Sequence, residues 1–281
     1  MYLRESASRA FTLLAKNPPL FGRTMLAKAN SLRRAPAFPA QRQIGDVVFE
    51  IGATCNPAPA AMYFASYSPL VVDAMKRHLT AGDVFIDVGA NVGYLSAVGA
   101  SLVGRRGQVH SFEPVPRYFQ ILRRLAELNP SHAIVANSCA AGAVNGTAKI
   151  HVTREPGQNT LVRGYKSGAE ITSSLDISVI RLDSYIESQR LSRVALIKID
   201  TEGFELPVLE GLRGYFDSGQ RPAIICEIAP RAYALMGRTS ADISDYMARY
   251  GYRARDIIDG TTPVNVVVLQ HVTDVLFLKG S

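Results

Sequence analysis

Short runs of branched apolar residues alternate along this chain with longer stretches in which apolar positions recur every three or four residues. The first pattern is that of a buried strand and the second that of an amphipathic helix. "DVFIDVG", "QVHSFEP", "AIVANSCAA", "VALIKID" and "PAIICEI" read as strands, and "VGYLSAVGASLV", "VPRYFQILRRLAEL", "FELPVLEGLRGYF" and "SADISDYMARYG" as helices. Ahead of them, "IGDVVFEIGA" from Ile44 reads as an alternating strand, and "YSPLVVDAMKRHL" as a helix entered through Ser68 and Pro69. "ISVIRLDSYI" reads as a strand entering a turn, and "PVNVVVLQ" and "DVLFLKG" as two closing strands. Strands separated by helices of about 10 to 15 residues predict βαβ units and a mostly parallel sheet covered on both faces. Right-handed crossovers make this a doubly wound α/β fold, in which ligands lie at the carboxyl ends of the strands near the point where strand order reverses. Residues 154–174 lack periodicity and read as a long polar insert of the functional or mobile kind.

Composition adds a globular core and a separate charged arm. Hydrophobic residues make up 47% of the 281, enough to bury a sizeable core. No apolar run approaches the ~20 residues of a membrane helix. The net charge of +7 is carried by residues 1–43, which hold eight basic groups and the single acid Glu5; the remaining residues are neutral. Pro36 and Pro39 mark the boundary, so residues 1–43 read as a basic N-terminal arm with a short amphipathic helix and 44–281 as the folded domain. Such an arm suits peripheral contact with an anionic surface. It has no long apolar stretch of the secretory kind. Cys55, Cys139 and Cys226 are scattered and form no CxxC pair, which predicts a reducing, cytoplasmic compartment. The five histidines show no ligand spacing, and no metal site is predicted.

The strongest local signal is "VFIDVGANVGYLSA". The strand carries Asp87 near its end, Gly89 and Gly93 flank a tight turn that includes Asn91, and a helix begins near Tyr94. Glycines let backbone approach a ligand, and a helix N-terminus offers free N–H groups. Glu113 closes the next strand 20 residues past Gly93, the distance at which a carboxylate grips ribose hydroxyls. The six positions from Gly89 read G-A-N-V-G-Y, so the GxGxxG dinucleotide pattern fails. Asp87 would also oppose a pyrophosphate. S-adenosylmethionine, which has no phosphate and carries a sulfonium and an ammonium, suits an acid at the strand end.

The second signal is "LIKIDTEGFELPVLEGL", where Asp200, Glu202 and Glu205 crowd the exit of an apolar strand. Charge at such a place is costly without a ligand or partner. Strand alternation puts Lys198 and Asp200 on one face and predicts a pair. Asp200 or Glu202 would take up a proton as general base or only position a substrate, and Lys198 would hold one of them ionised. Glu205 reads as an acid favoured by the helix dipole. Glu227 ends another strand and faces either a substrate or a basic partner.

Together, "FIDVGANVGYLSA", "HSFEPVPRYFQILRRLAELN", "VIRLDSYI", "LIKIDTEGFELPVLEGL" and "PAIICEI" resemble the FkbM family of S-adenosylmethionine-dependent methyltransferases, over roughly Gly82 to Ile228. The resemblance implies a class I methyltransferase (Rossmann-like) fold, with a terminal antiparallel hairpin supplied by "VNVVVLQ" and "DVLFLKG", and makes 44–281 a methyltransferase domain. It implies methyl transfer to oxygen on a sugar, glycan or natural-product hydroxyl. It assigns Asp87, Gly89, Asn91 and Gly93 to the cofactor turn and Glu113 to the ribose. Asn137 and Ser138 would lie near the adenine, and Asp200, with Lys198 and Glu202, beside the methyl-transfer centre.

Rival readings are weaker. A nucleic-acid methyltransferase of the (N/D)PP(aromatic) type fails because "NPPL", Asn17–Leu20, lies in the arm and the fourth strand exits on "DTEG". No aromatic and basic interleaving suited to base stacking is present, so no nucleic-acid partner is expected. An NAD(P)-binding oxidoreductase is opposed by the failed GxGxxG and by Asp87. A non-catalytic module of the same fold is opposed by the intact turn and acid cluster.

Overall fold

The computed structural model describes residues 12–33, 39–52, 59–65, 67–154, 159–165, 171–191 and 193–280. Its strands are β1 (Ala40–Ile44), β2 (Val47–Ile51), β3 (Val84–Val88), β4 (Gln108–Phe112), β5 (Ala133–Asn137), β6 (Ala140–Ala141), β7 (Gly146–Thr153), β8 (Ile171–Ile180), β9 (Val194–Ile199), β10 (Ala223–Ile228), β11 (Tyr252–Asp256) and β12 (Thr273–Lys279). Seven of them form one sheet in the order β11-β12-β10-β9-β3-β4-β5. β5, β4, β3, β9 and β10 are parallel, while β12 is antiparallel to both β10 and β11.

Every residue of β3 is buried, because helices cover both faces of the sheet. Phe85 packs on one side with Val71 and Ala74 of the helix Pro69–His78 and Leu95 and Val98 of the helix Tyr94–Val103. Ile86 and Val88 pack on the other with Leu182, Leu206 and Ile243. The chain runs outward from β3 through β4 to β5, then returns to place β9 on the opposite side of β3. Strand order therefore reverses between β3 and β9, and the crevice at their carboxyl ends is where such sheets bind ligands. The return segment builds a separate sheet, β6-β8-β7.

The terminal hairpin is real, but its strands are not the expected pair. β12 pairs with β11, "YRARD", whereas Val266–Val268 of "PVNVVVLQ" form a single 3-10 turn. Asn265 accepts a hydrogen bond from the Val267 N–H and starts that turn, and Val267 and Val268 stay exposed. β11 lies at the sheet edge, where charged side chains are tolerated and discourage further pairing, so its apolar signal is faint. Three further differences have local causes. "AIVANSCAA" divides into β5 and β6, which belong to different sheets. "FELPVLEGLRGYF" divides into the helices Glu205–Glu210 and Arg213–Asp217, either side of Gly211. "IGDVVFEIGA" is half of a hairpin: β1 begins at Ala40 and turns at Gly45 to pair with β2.

Part of the basic arm is ordered against the domain. Asn17 of "NPPL" caps the helix Pro18–Arg33 by accepting from the Leu20 N–H at 3.1 Å. Leu13 and Leu20 are buried, and Lys16 Nζ bridges Asp256 at 2.6 Å and Asp259 at 3.2 Å. No helix among the described residues is long and apolar enough to cross a membrane. Pro36 and Cys55 lie outside the described residues.

Candidate functional site

A cavity of about 400 Å³ opens at the reversal point, lined by the turn after β3, the exits of β4, β9 and β10, and the start of β12. The turn rises from β3 through Gly89, Asn91 and Gly93, all with positive φ, and the last caps the helix Tyr94–Val103. The Gly89 and Ala90 N–H groups both donate to the Phe112 carbonyl, which ties the turn to β4. Gly89 has φ +78°, and a Cβ there would stand 1.8 Å from the Asp200 carbonyl oxygen. Only glycine lets the β3 and β9 exits approach this closely.

Glu113 binds this turn from the next strand. Its Oε2 accepts from the Asn91 N–H at 2.9 Å and its Oε1 from the Val115 N–H at 2.8 Å. Burial raises its pKa to about 7, against the lowering effect of those two bonds. Asn91 tolerates φ +51°, and its Oδ1 is shut from solvent in the cavity wall without a hydrogen-bond partner among the described residues.

Asp87 is not in the cavity wall. It is fully buried beneath the turn, where Oδ2 accepts from Ser96 Oγ at 2.7 Å and Oδ1 faces Lys198 Nζ at 3.6 Å. Lys198 Nζ also reaches Asp200 Oδ2 at 3.2 Å and the Gly89 carbonyl at 3.3 Å. The strand alternation thus produces the expected pair and adds a second acid. Burial alone would lower the Lys198 pKa, but Asp200 and Asp87 raise it above the ordinary lysine value. Lys198 is a charged tie between β3 and β9, and its partner Asp200 projects into the cavity, with its side chain 37% exposed.

Glu202 also lines the cavity, in a left-handed conformation with φ +55°. Thr160 Oγ1 of the polar insert donates to its carbonyl at 2.6 Å, and Gly203 follows with φ +103° against the Ala232 methyl. Glu205 holds this turn from below. Completely buried, its Oε1 accepts from the Thr201 N–H, Thr201 Oγ1 and the Gly203 N–H at 2.9–3.0 Å, and its Oε2 from the Tyr233 hydroxyl at 3.0 Å. It is the first residue of its helix, yet its work is to fix the turn that carries Asp200 and Glu202. Glu205→Ala leaves buried donors unpaired and is expected to destabilise the fold by roughly 3 kcal/mol or more, read as a lower urea midpoint.

Asn137 and Ser138 do not line the cavity; Asn137 Nδ2 donates to the Ser111 carbonyl at 3.1 Å. Gly93 is likewise outside the wall, packed under Leu122 and Leu125. Sequence reasoning missed Tyr67, Asn159, Phe204 and Asp274, all in the wall. Tyr67 sits in an irregular segment between helices, where no periodicity marks it; burial, with Asp200 adding to it, raises its hydroxyl pKa to about 12. Asp274 lies opposite Glu227 in the β10–β12 register, and that pairing is invisible without the sheet. Among the described residues no group of three or more His, Cys, Asp or Glu could hold a metal ion.

The family model "Methyltransferase FkbM domain" matches residues 87–254, more than half of the chain. A protein named Methyltransferase 1 from Beauveria bassiana is 27% identical over 143 residues, covering 45% of this chain and 57% of that protein. The hexuronic acid methyltransferase AglP of Haloferax volcanii is 27% identical over 148 residues, 53% of this chain and 57% of its own length. The chain thus spans less than two thirds of these curated relatives. The crystal structure of a methyltransferase FkbM from Methylobacillus flagellatus is 16% identical with a TM-score of 0.45, covering 92% of this chain and 59% of that one.

Proposed function

The chain belongs to the FkbM methyltransferase family, an S-adenosylmethionine-dependent class, and from that premise we propose that it methylates a hydroxyl oxygen of a sugar, glycan or natural-product acceptor. The observation that carries this reading is the meeting of Asp200 with the Gly89–Gly93 turn in one cavity, at the reversal of strand order. The relative from Haloferax volcanii, named for a sugar acid, supports an oxygen acceptor of sugar type.

Gly89, Asn91 and Glu113 hold the cofactor. The unpartnered Asn91 Oδ1 supplies an acceptor, and each Glu113 oxygen has a lone pair left for a ribose hydroxyl. When bound, S-adenosylmethionine supplies an electrophilic methyl group that needs no further activation. An alcohol is far from ionised at neutral pH, so Asp200 takes up its proton as general base, with Lys198 Nζ at 3.2 Å holding the carboxylate in place. Glu202 stands second in line for that role, on the same rim.

Calorimetric titration with S-adenosylmethionine and S-adenosylhomocysteine, with NAD beside them, tests the reading. Micromolar binding of the first two and none of NAD is expected; NAD binding alone overturns it. Glu113→Ala is expected to weaken cofactor binding by tenfold or more, at about 1.4 kcal/mol per tenfold. Ribose hydroxyls donate to the ionised carboxylate, and a proton competes with them. Wild-type affinity should therefore fall as pH drops through about 7, and Glu113→Gln should bind with little pH dependence between 6 and about 8.

A further inference from the structure

We propose that the helix Pro18–Arg33 lays its outward face on an anionic phospholipid surface, with Met25 and Leu26 entering the headgroup layer and the basic residues of the arm meeting lipid phosphates. The proposal goes beyond methyl transfer and does not depend on the acceptor.

That helix is apolar on two sides. Leu20 and Thr24 are buried and Phe21 packs on the core, so one side docks on the domain, against the helices Pro59–Tyr63 and Pro69–His78. Gly22, Met25, Leu26 and Ala29 follow the i, i+3, i+4 and i+7 spacing of a single helix face, and all four are exposed. Pro18 and Pro19 at the start of the helix and Leu14 just before it are exposed as well. Leu26, at 64%, is among the most exposed large apolar residues described. A helix face turned to water ordinarily carries charged residues, and a helix apolar on opposite sides needs a second apolar partner. Exposed apolar side chains gathered on one face mark such a contact.

Charge selects the partner. Residues 1–43 hold eight basic groups against Glu5, while the rest of the chain is neutral. Two of the eight are committed within the fold: Lys16 bridges Asp256 and Asp259, and the Arg42 guanidinium donates to the Met62 and Tyr63 carbonyls. The other six lie in and around the helix in the sequence, from Arg4 to Arg34. A few apolar side chains hold a bilayer weakly by themselves. Stable attachment takes a second signal, which a polybasic segment supplies where the leaflet is anionic. A second copy of this chain would cover the apolar face but bring the same positive charge to it, and would be repelled. Nucleic acid would meet the charge but offer no apolar medium to Met25 and Leu26.

Sedimentation of the full chain with two kinds of vesicle is the test, one of phosphatidylcholine alone and one containing about 30% phosphatidylglycerol. At least tenfold tighter binding to the anionic vesicles is expected. That binding should weaken at least fivefold between about 50 and about 300 mM salt, as lipid charge is screened. Met25→Ser/Leu26→Ser should weaken it at least fivefold too, and leave the urea midpoint unchanged because both side chains face solvent. Should that variant unfold early, Leu26→Ser alone serves, with at least a threefold loss expected. Equal binding to both vesicles, or none to the anionic ones, overturns the proposal. Anionic binding that the serine variant leaves intact overturns it as well, since the contact would then be one of charge alone. So does a wild-type dimer that the variant converts to a monomer, which would give the face to a second copy.

Discussion

Lys198→Met is expected to destabilise the protein by about 3–5 kcal/mol, the range for breaking a buried ion pair by removing one partner. The side chain is almost wholly buried, and its loss leaves Asp87, fully enclosed, with one oxygen facing neither a cation nor a hydrogen-bond donor. It also removes the donor to the Gly89 carbonyl, so the Gly89–Gly93 turn loosens at the point where it meets β9. Urea unfolding gives the direct measure. The added substitution Asp87→Asn removes the stranded charge, so the double variant should be more stable than Lys198→Met alone. Strict additivity of the two effects would show that the contact carries no coupling.

Asp200→Asn is expected to lower turnover by about 10²–10³ while leaving cofactor affinity within about twofold, the size typical of losing a positioned general base. The substitution keeps the shape of the side chain and removes its charge and its capacity to take up a proton. Lys198 then retains Asp87 as its charged partner, so the fold should survive. Glu202→Gln made in parallel should cost turnover far less. Methyl transfer to the best acceptor, followed under single-turnover conditions, separates the chemical step from product release. Turnover of Asp200→Asn within tenfold of wild type would leave positioning as the source of the rate.

Much of the site was legible because it lies on local pattern. The Gly89–Gly93 turn, Glu113 at the next strand end and the Lys198–Asp200 alternation each follow from a few consecutive residues, and the structure brings them to one cavity apart from Gly93, which packs beneath it. Asp87, which the resemblance assigns to the cofactor turn, lies buried beneath that turn and outside the cavity wall. Spacing locates a residue along a strand, whereas neighbours decide that its carboxylate points under the turn toward Ser96 and Lys198. Asn137 and Ser138, which the resemblance sets near the adenine, are not among the residues that line the cavity, and Asn137 Nδ2 donates to the Ser111 carbonyl. The hairpin strand β11 was hidden by its charged edge, and the valine run of "PVNVVVLQ" is instead a 3-10 turn that buries Val266 and leaves Val267 and Val268 exposed.

Apolar periodicity by itself determined the class of fold, since a strand buried on both faces and a helix with one apolar stripe bury their surfaces in few ways. It pointed to the crevice too, because right-handed crossovers that place helices on both faces of an open sheet require strand order to reverse. Only the tertiary structure decided which acids share the cavity. Glu227 and Asp274 stand 47 residues apart in the chain and meet through an antiparallel register that no local signal encodes. It likewise made Glu205 a buried clamp rather than a first-turn charge: the side chain folds back under the turn just before it, where Thr201 and Gly203 supply three donors, and packing brings the fourth, the Tyr233 hydroxyl, from a later helix. A side chain's chemistry is written in its own residue, but whether its charge meets water, a lysine or another carboxylate depends on neighbours that the folded chain alone assembles.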